Sequence, residues 1–446
     1  MSEPETTAEW ILALMDHLGL ETAHVAAQMP GDVGDLVLAA PDRLAGIVLC
    51  VPTRLDPAAF EAVADRLLMI SGDQGLTVAT TGRAASRLPT AERHVLAGYD
   101  ALGWSDVIAE RGDEVAGAMA EFLGRQARRA RTSHSTSPSR APTRPSAGEH
   151  AEIDWRLQGE GPPLILFPFF LAPSQWDPAI DALARRFTVI RLGGAHVGGV
   201  AALEDRARAP TYRAMFASLV DRLAPVPGAR ILDVGCGSGA LDRLLARRLG
   251  TQERIDAVDI NRFLLTEARA LAAKEGLAEQ IRFTEASATD LPFADATFDC
   301  IYSVTVLEEC DADRAIAEMV RVARPGARIG IVVRAIDIDQ WWNLDLPAAL
   351  RRKAAVPPQS VGPGGVADQS LYRRLRQAGL VDLQAFPALI TLDRPEGPIW
   401  RYREDAVLSG LDAEETVVWR SATRARAADG LLMQAHALHA AVARKP

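Results

Sequence analysis

No run of 18 apolar residues occurs in the 446-residue sequence, which excludes an ordinary membrane-spanning helix. Cysteine is scarce as well. Cys50, Cys236, Cys300 and Cys310 have neither metal-ligand nor disulfide spacing, so no metal site is expected, and a reducing compartment suits them. An excess of positive charge is also missing: the net charge is −9 and the pI about 5.5, a balance that disfavours nucleic acid as a partner of the folded parts. The opening Met-Ser-Glu-Pro-Glu is acidic where a secretory signal is basic, and the expectation is a cytoplasmic protein with no membrane partner. What is present is ample apolar material. At 48% hydrophobic residues the chain can bury two α/β cores.

The most informative stretch is Ile231-Leu-Asp-Val-Gly-Cys-Gly-Ser-Gly239, an apolar strand that breaks into three closely spaced glycines. Glycine adopts positive φ cheaply and leaves no Cβ in the way, so Gly235, Gly237 and Gly239 let the chain turn beneath a ligand and open a helix near Ala240. By spacing alone this is a tight turn or a nucleotide fingerprint. A second apolar strand follows, Ile255-Asp-Ala-Val-Asp-Ile260, with Asp259 about 20 residues beyond the last glycine, where a carboxylate can accept from two ribose hydroxyls.

Further along come Ile281-Arg-Phe283, Ala286-Ser-Ala-Thr-Asp-Leu-Pro-Phe293, Phe298-Asp-Cys-Ile-Tyr-Ser-Val-Thr-Val-Leu-Glu-Glu309 and Arg324-Pro-Gly-Ala-Arg-Ile-Gly-Ile-Val-Val333. In this order they resemble a class I S-adenosylmethionine (SAM)-dependent methyltransferase, over residues 203–446. The resemblance implies a Rossmann-like parallel sheet with SAM as cofactor and S-adenosylhomocysteine as product. It places Asp233 and the Gly235–Cys236–Gly237–Gly239 loop at the methionine portion of SAM and Asp259, with Ile260, at the ribose. Ala288 would offer its N–H to the adenine, Ser287 stands where a longer acidic or amide residue is usual, and Ser303 to Leu307 would run beside the sulfonium.

Methyl transfer needs alignment and exclusion of water, and a base only where the nucleophile carries a proton. Candidate bases are Glu308, Glu309, His436 and His439, the two histidines being unable to share one face of a strand. Candidate acceptor-binding residues are Trp341 and Trp342 just past the fifth strand, Trp400 and Tyr402 opposite them, and Tyr212 as a lid over SAM. The acceptor is expected to be a small molecule, a specialised metabolite of natural-product biosynthesis, methylated on oxygen, nitrogen or carbon. The alternative is a SAM-binding protein that does not methylate, either a ligand-sensing module or a catalyst of SAM-assisted rearrangement or decarboxylation.

Residues 1–125 are of another kind. Expected are a helix over 8–19, strands over 22–27, 46–52 and 67–71, and helices over 33–40 and 104–123. The order resembles the later part of an α/β-hydrolase with its triad lost. The nucleophile elbow reads Ala27-Gln-Met-Pro-Gly31 with Met29 in the nucleophile's place, Gly75 stands in that of the acid, and Gly98–Gly103 contains no histidine; His94 on the preceding strand is expected to be structural. Residues 151–202 resemble the opening strands of the same fold, as though permuted, and are expected to complete that sheet within one chain or across a swapped homodimer. Between them, residues 126–150 are expected to be a disordered linker, the window from Arg125 carrying six arginines against Glu149.

Overall fold

The computed structural model describes residues 7–100, 106–133, 146–150, 153–169, 171–194, 198–250, 254–395 and 397–446. The chain divides into two compact units, Met1–Ala201 and Ala202–Pro446, each built on an eight-stranded sheet. Both sheets are mainly parallel, so the fold class is α/β.

In the first unit the strands are β1 (Ala23–Ala27), β2 (Leu44–Cys50), β3 (Leu67–Gln74), β4 (Glu92–Asp100), β5 (Ala147–His150), β6 (Ile153–Gln158), β7 (Pro163–Leu166) and β8 (Thr188–Gly193). Their order is β4-β3-β2-β1-β7-β8-β6-β5, with β5 and β6 antiparallel. β1 lies between β2 and β7, parallel to both, with His24 opposite Leu164 and Ala26 opposite Leu166. Strands from 153–193 and 23–100 therefore share one sheet within one chain. Side chains alternate between its faces: Ile47 and Leu49 enter one apolar core, Val48 and Cys50 the other, as strands covered on both sides must. Trp176, fully buried, is held by its indole N–H donating to the Phe167 carbonyl at 2.6 Å.

Three expectations for this unit are corrected. The helix expected over 33–40 begins at Pro30, because proline at the first helical position leaves no needed N–H unmade. The helix expected over 104–123 runs Val107–Ser133, and residues 147–150 form β5, so the expected linker over 126–150 is ordered at both ends. The apolar stripe explains the longer helix: Met119, Phe122 and Leu123 reach the core and Ala127 is buried, carrying the period past Arg125. Residues 134–145 of that linker, like 101–103 of the expected histidine loop, lie outside the described residues.

The second unit holds β9 (Ile231–Val234), β10 (Ile255–Asp259), β11 (Ile281–Glu285), β12 (Phe298–Val304), β13 (Ala323–Arg334), β14 (Trp341–Trp342), β15 (Val381–Leu392) and β16 (Gln434–Arg444). The order is β11-β10-β9-β12-β13-β16-β14, with β15 also on β16 and β16 antiparallel to its neighbours. The direction of strand succession reverses between β9 and β12, and at such a switch point the loops diverge and leave a crevice outside the carboxyl ends of the strands. Helix Pro210–Leu223 packs by Tyr212, Met215, Phe216 and Leu219 onto one face of this sheet, and helix Ala312–Val322 covers the other.

Candidate functional site: a pocket over the glycine turn

At the switch point the structure has a pocket of about 330 Å³. It is lined by Asp233, Gly235, Cys236 and Gly237 of the β9 turn, Asp259 and Ile260 after β10, Ser287 and Ala288 after β11, and Val304 to Val306 and Glu309 after β12. Its floor requires glycine. Gly235 has φ +87°, and a Cβ there would lie 2.1 Å from Val306 Cγ2; at Gly237, φ +56°, it would lie 2.9 Å from Leu203.

The turn's own N–H groups are largely committed. Gly235 and Cys236 donate to the Val258 carbonyl at 2.7 and 2.9 Å, and Gly237 donates to Asp259 Oδ2 at 2.8 Å. The glycines thus offer close approach, whereas Asp259 both fixes the turn and keeps lone pairs toward the pocket. Burial pushes the Asp259 carboxyl above its usual range. A second lash comes from a buried ion pair: Arg243 reaches Glu204 at 2.5 Å, and both bond Ser238 of the turn, at 2.7 and 2.6 Å. The Ala288 N–H, on the pocket wall, has no acceptor among the described residues.

Beneath the turn lies a group the sequence did not announce. Asp242, in the first turn of helix Ala240–Leu249, is fully buried; its carboxyl lies against that of Asp233, its Oδ1 accepts from the Tyr302 hydroxyl at 2.8 Å, and its Oδ2 is buried with no other donor. Two carboxyls can bond each other only if one is protonated. Burial raises both, Asp242 to about 6, with Asp242's charge adding to the rise at Asp233. A further lining residue was missed: Arg206, whose Nη1 donates to Thr305 Oγ1 at 2.9 Å and whose guanidinium lies 5.0 Å from the Tyr212 ring centre; Thr305, within the run Ser303 to Leu307, lines the pocket at φ +57°. A β-branched residue in the left-handed region is strained, and such strain gathers at ligand sites.

Of the expected cofactor residues, Asp233, Gly235, Cys236, Gly237, Asp259, Ile260, Ser287 and Ala288 line the pocket. Two do not. Ser303 is buried, donating from Oγ to the Val234 carbonyl at 2.8 Å, and so clamps β12 to β9. Gly239 faces Phe283, beneath the turn. Ser287 is on the wall with its hydroxyl shared with Thr289 at 2.8 Å. Tyr212, expected as a lid over SAM, is part of the pocket wall and buried in its helix.

The candidate bases separate. Glu309 lines the pocket but is paired with Arg334 at 2.8 Å. Glu308 is wholly buried, accepts from the Arg334 N–H at 2.6 Å and does not line the pocket. His439 is hydrogen-bonded to Tyr372 and Asp337, at 3.0 and 2.7 Å. His436, on the other face of β16, is buried among polar side chains. The aromatic wall is corrected: Trp342 and Trp400 pack edge-to-face, Trp342 also against Trp419, and all three are core of the helices beyond the sheet, while Trp341 and Tyr402 are exposed and line no part of the pocket.

Residues 231–326 match the family model of a methyltransferase domain. An O-methyltransferase of Aspergillus sclerotiorum, resE, is 35% identical over 159 residues, which is 35% of this chain and 57% of that protein. Methyltransferase GfsG of Streptomyces halstedii is 37% identical over 118 residues, 26% of this chain and 42% of the relative. The chain thus spans about half the length of these curated relatives. Among solved structures, the YcgJ protein of a Bacillus is similar at 18% identity and TM-score 0.35, over 52% of this chain and 98% of that one. The glycine floor, the carboxylate after β10 and the unspent N–H at Ala288 fit a nucleoside-bearing cofactor, S-adenosylmethionine, and all lie in the segment from Ile231 to Gly326 that is similar to a methyltransferase domain.

Proposed function

We propose that the protein transfers a methyl group from SAM to a small-molecule acceptor, a specialised metabolite, and that its first unit is an α/β-hydrolase-like accessory domain without hydrolytic activity. The observation that carries the first half is the side-chain-free turn of Gly235 and Gly237 at the switch point, with Asp259 on one wall and Arg206 and Tyr212 on another. When bound, SAM supplies an already activated methyl group. The chain's own part is then to hold the ligand by Asp259 and the Ala288 N–H, to align the acceptor and to keep water out. The named activity of resE, O-methylation, supports an oxygen acceptor.

Support for the accessory reading is the β1 turn, where Gln28 and Met29 lead into a helix starting at Pro30, and the absence of serine, acid and histidine at the three positions hydrolysis needs. Among the described residues no helix is long and apolar enough to cross a membrane. We place the protein in the cytoplasm with a small molecule rather than nucleic acid as partner, and as a homodimer through its first unit. Calorimetric titration with SAM and S-adenosylhomocysteine, followed by an acceptor screen using methyl-labelled SAM, tests the proposal: binding without transfer to any hydroxylated, amine or enolic acceptor would leave a sensing module instead.

A further inference from the structure

At the carboxyl edge of the second sheet, beyond the SAM pocket, four polar side chains are buried together: Gln340, Arg403, Gln434 and His436. Their hydrogen bonds form a chain with one consistent direction. Gln340 Nε2 donates to the Ala354 and Val356 carbonyls at 3.0 and 3.1 Å, which turns its Oε1 inward. That oxygen accepts from Arg403 Nη1 at 3.1 Å and from Gln434 Nε2 at 3.3 Å, and the latter also donates to the Ala435 carbonyl at 3.0 Å. Gln434 Oε1 is thereby left as an acceptor, 3.0 Å from His436 Nδ1. The proton of a neutral His436 must therefore sit on Nδ1, and Nε2 carries the lone pair.

Arg403 is the second half of the argument. It is 6% exposed, and among the described residues it has no carboxylate partner. A guanidinium taken out of water without a counter-ion costs several kcal/mol, so folding alone gives no reason to retain it. Topology puts the cluster on the carboxyl side of the sheet, the side on which the pocket opens, although none of the four lines that pocket. Leu438 pairs with Arg334, the last residue of β13, so His436 lies past the carboxyl edge. The charged groups facing His436 are Arg403 and Arg206, and Arg206 lines the SAM pocket. Together with burial they push the imidazole well below its usual range and keep it neutral, while burial draws Arg403 down to about 10, still protonated.

We infer that Arg403 and His436 form the acceptor subsite, that His436 Nε2 is the general base, and that the acceptor is an acidic hydroxyl compound, a phenol or enol, whose anion pairs with Arg403. The inference rests on the methyltransferase reading. In the step it describes, the acceptor O–H proton passes to His436 Nε2, the oxygen forms its bond to the methyl carbon, and the S–CH3 bond breaks with its electron pair going to sulfur. The imidazolium then returns its proton to solvent.

4-Nitrophenol is a suitable probe because its anion absorbs visible light. Mixed with the full-length protein below the probe's own pKa, with and without S-adenosylhomocysteine, it should bind saturably and show the phenolate band. Calorimetry in buffers of different ionisation heat should find no proton released, because His436 takes it. Arg403→Gln should weaken binding by about tenfold to a hundredfold and lose the band. His436→Asn should release about one proton per bound phenolate. Arg403→Met should melt no lower than the native protein, since it removes an unpaired buried charge. Binding without the band, binding unmoved by Arg403→Gln, or no saturable binding overturns the subsite. Failure of S-adenosylhomocysteine to bind instead removes the methyltransferase reading, and the probe result then stands by itself.

Discussion

The two sheets of this protein start alike and finish differently. Each has a short, fully buried parallel strand near its centre that turns at its carboxyl end into a helix, Ala23–Ala27 before Pro30 and Ile231–Val234 before Ala240. In the second sheet the turn is glycine at the points that matter, and a pocket opens over it with titratable groups on its walls. In the first the turn carries Gln28, buried, and Met29, exposed, with a helix cap that makes no side-chain bond. The lesson is that a doubly covered parallel sheet is a scaffold of general use, and that reactivity depends on the few residues immediately past the strand ends.

The comparison breaks most visibly if the first sheet proves dispensable as a folded body. Trp176→Ala, which removes a fully buried indole and its bond to Phe167, should destabilise the first unit by about 3–5 kcal/mol. Denaturant unfolding followed by fluorescence measures this, and a loss below 1 kcal/mol, within the range of surface substitutions, would mean that the core there is already loose. The comparison sharpens at Asp259, the wall carboxylate that has no counterpart past β1. Asp259→Ala should weaken SAM binding by about 1.5–3 kcal/mol, because it deletes bonds to a charged acceptor and frees the Gly237 N–H; equal affinities by calorimetry would remove the ribose role.

A smaller effect is expected at the carboxyl pair beneath the turn. The folded-state pKa of Asp242 is raised to about 6 from a usual 3.8, so the native state binds more protons than the unfolded one between those values. Stability therefore falls as pH rises from about 4 to about 6 and stays lowered above. Asp242→Asn should add about 1–2 kcal/mol at pH 8 and flatten that slope; thermal melts across pH 4 to 8 read both, and an unchanged slope would show that no proton is shared. The smallest effect is expected at the other turn. Met29→Ser should yield no esterase rate on 4-nitrophenyl acetate above the native protein, since a serine without histidine and acid is not activated, and measurable turnover would show that the first sheet keeps a hidden base.

Much of the second unit could be read in advance because its constraints are local. Three glycines and a carboxylate about 20 residues after the last of them are consequences of backbone geometry around a ligand, and their spacing survives in one dimension. Arg206, Asp242 and Arg403 could not be read that way. Each is ordinary in its own helix and acquires meaning only from what packs against it, Thr305 and Tyr212, Asp233 and Tyr302, or a carboxamide pair. The tryptophans misled for the same reason. Paired aromatics near a strand end satisfy a ligand wall or a helical core equally well on paper, and Trp419, distant in sequence, decided for the core. In the first unit the strands were legible from their unbroken apolar runs, whereas the end of helix Val107–Ser133 was not, because arginine is a good helix former and marks no boundary.

The seam between β1 and β7 has a consequence for biosynthesis. Ala26 pairs with Leu166, so the central joint of the first sheet waits for a strand made long after its neighbour has left the ribosome. At roughly 5–20 residues per second, β1 to β4 would spend several seconds with one buried edge uncovered. Closing so long a loop costs little more entropy than closing one half its length, and the risk is therefore one of timing. An open, apolar, unpaired edge is a template for another chain, and the strand that ends that exposure, Pro163–Leu166, is four residues long.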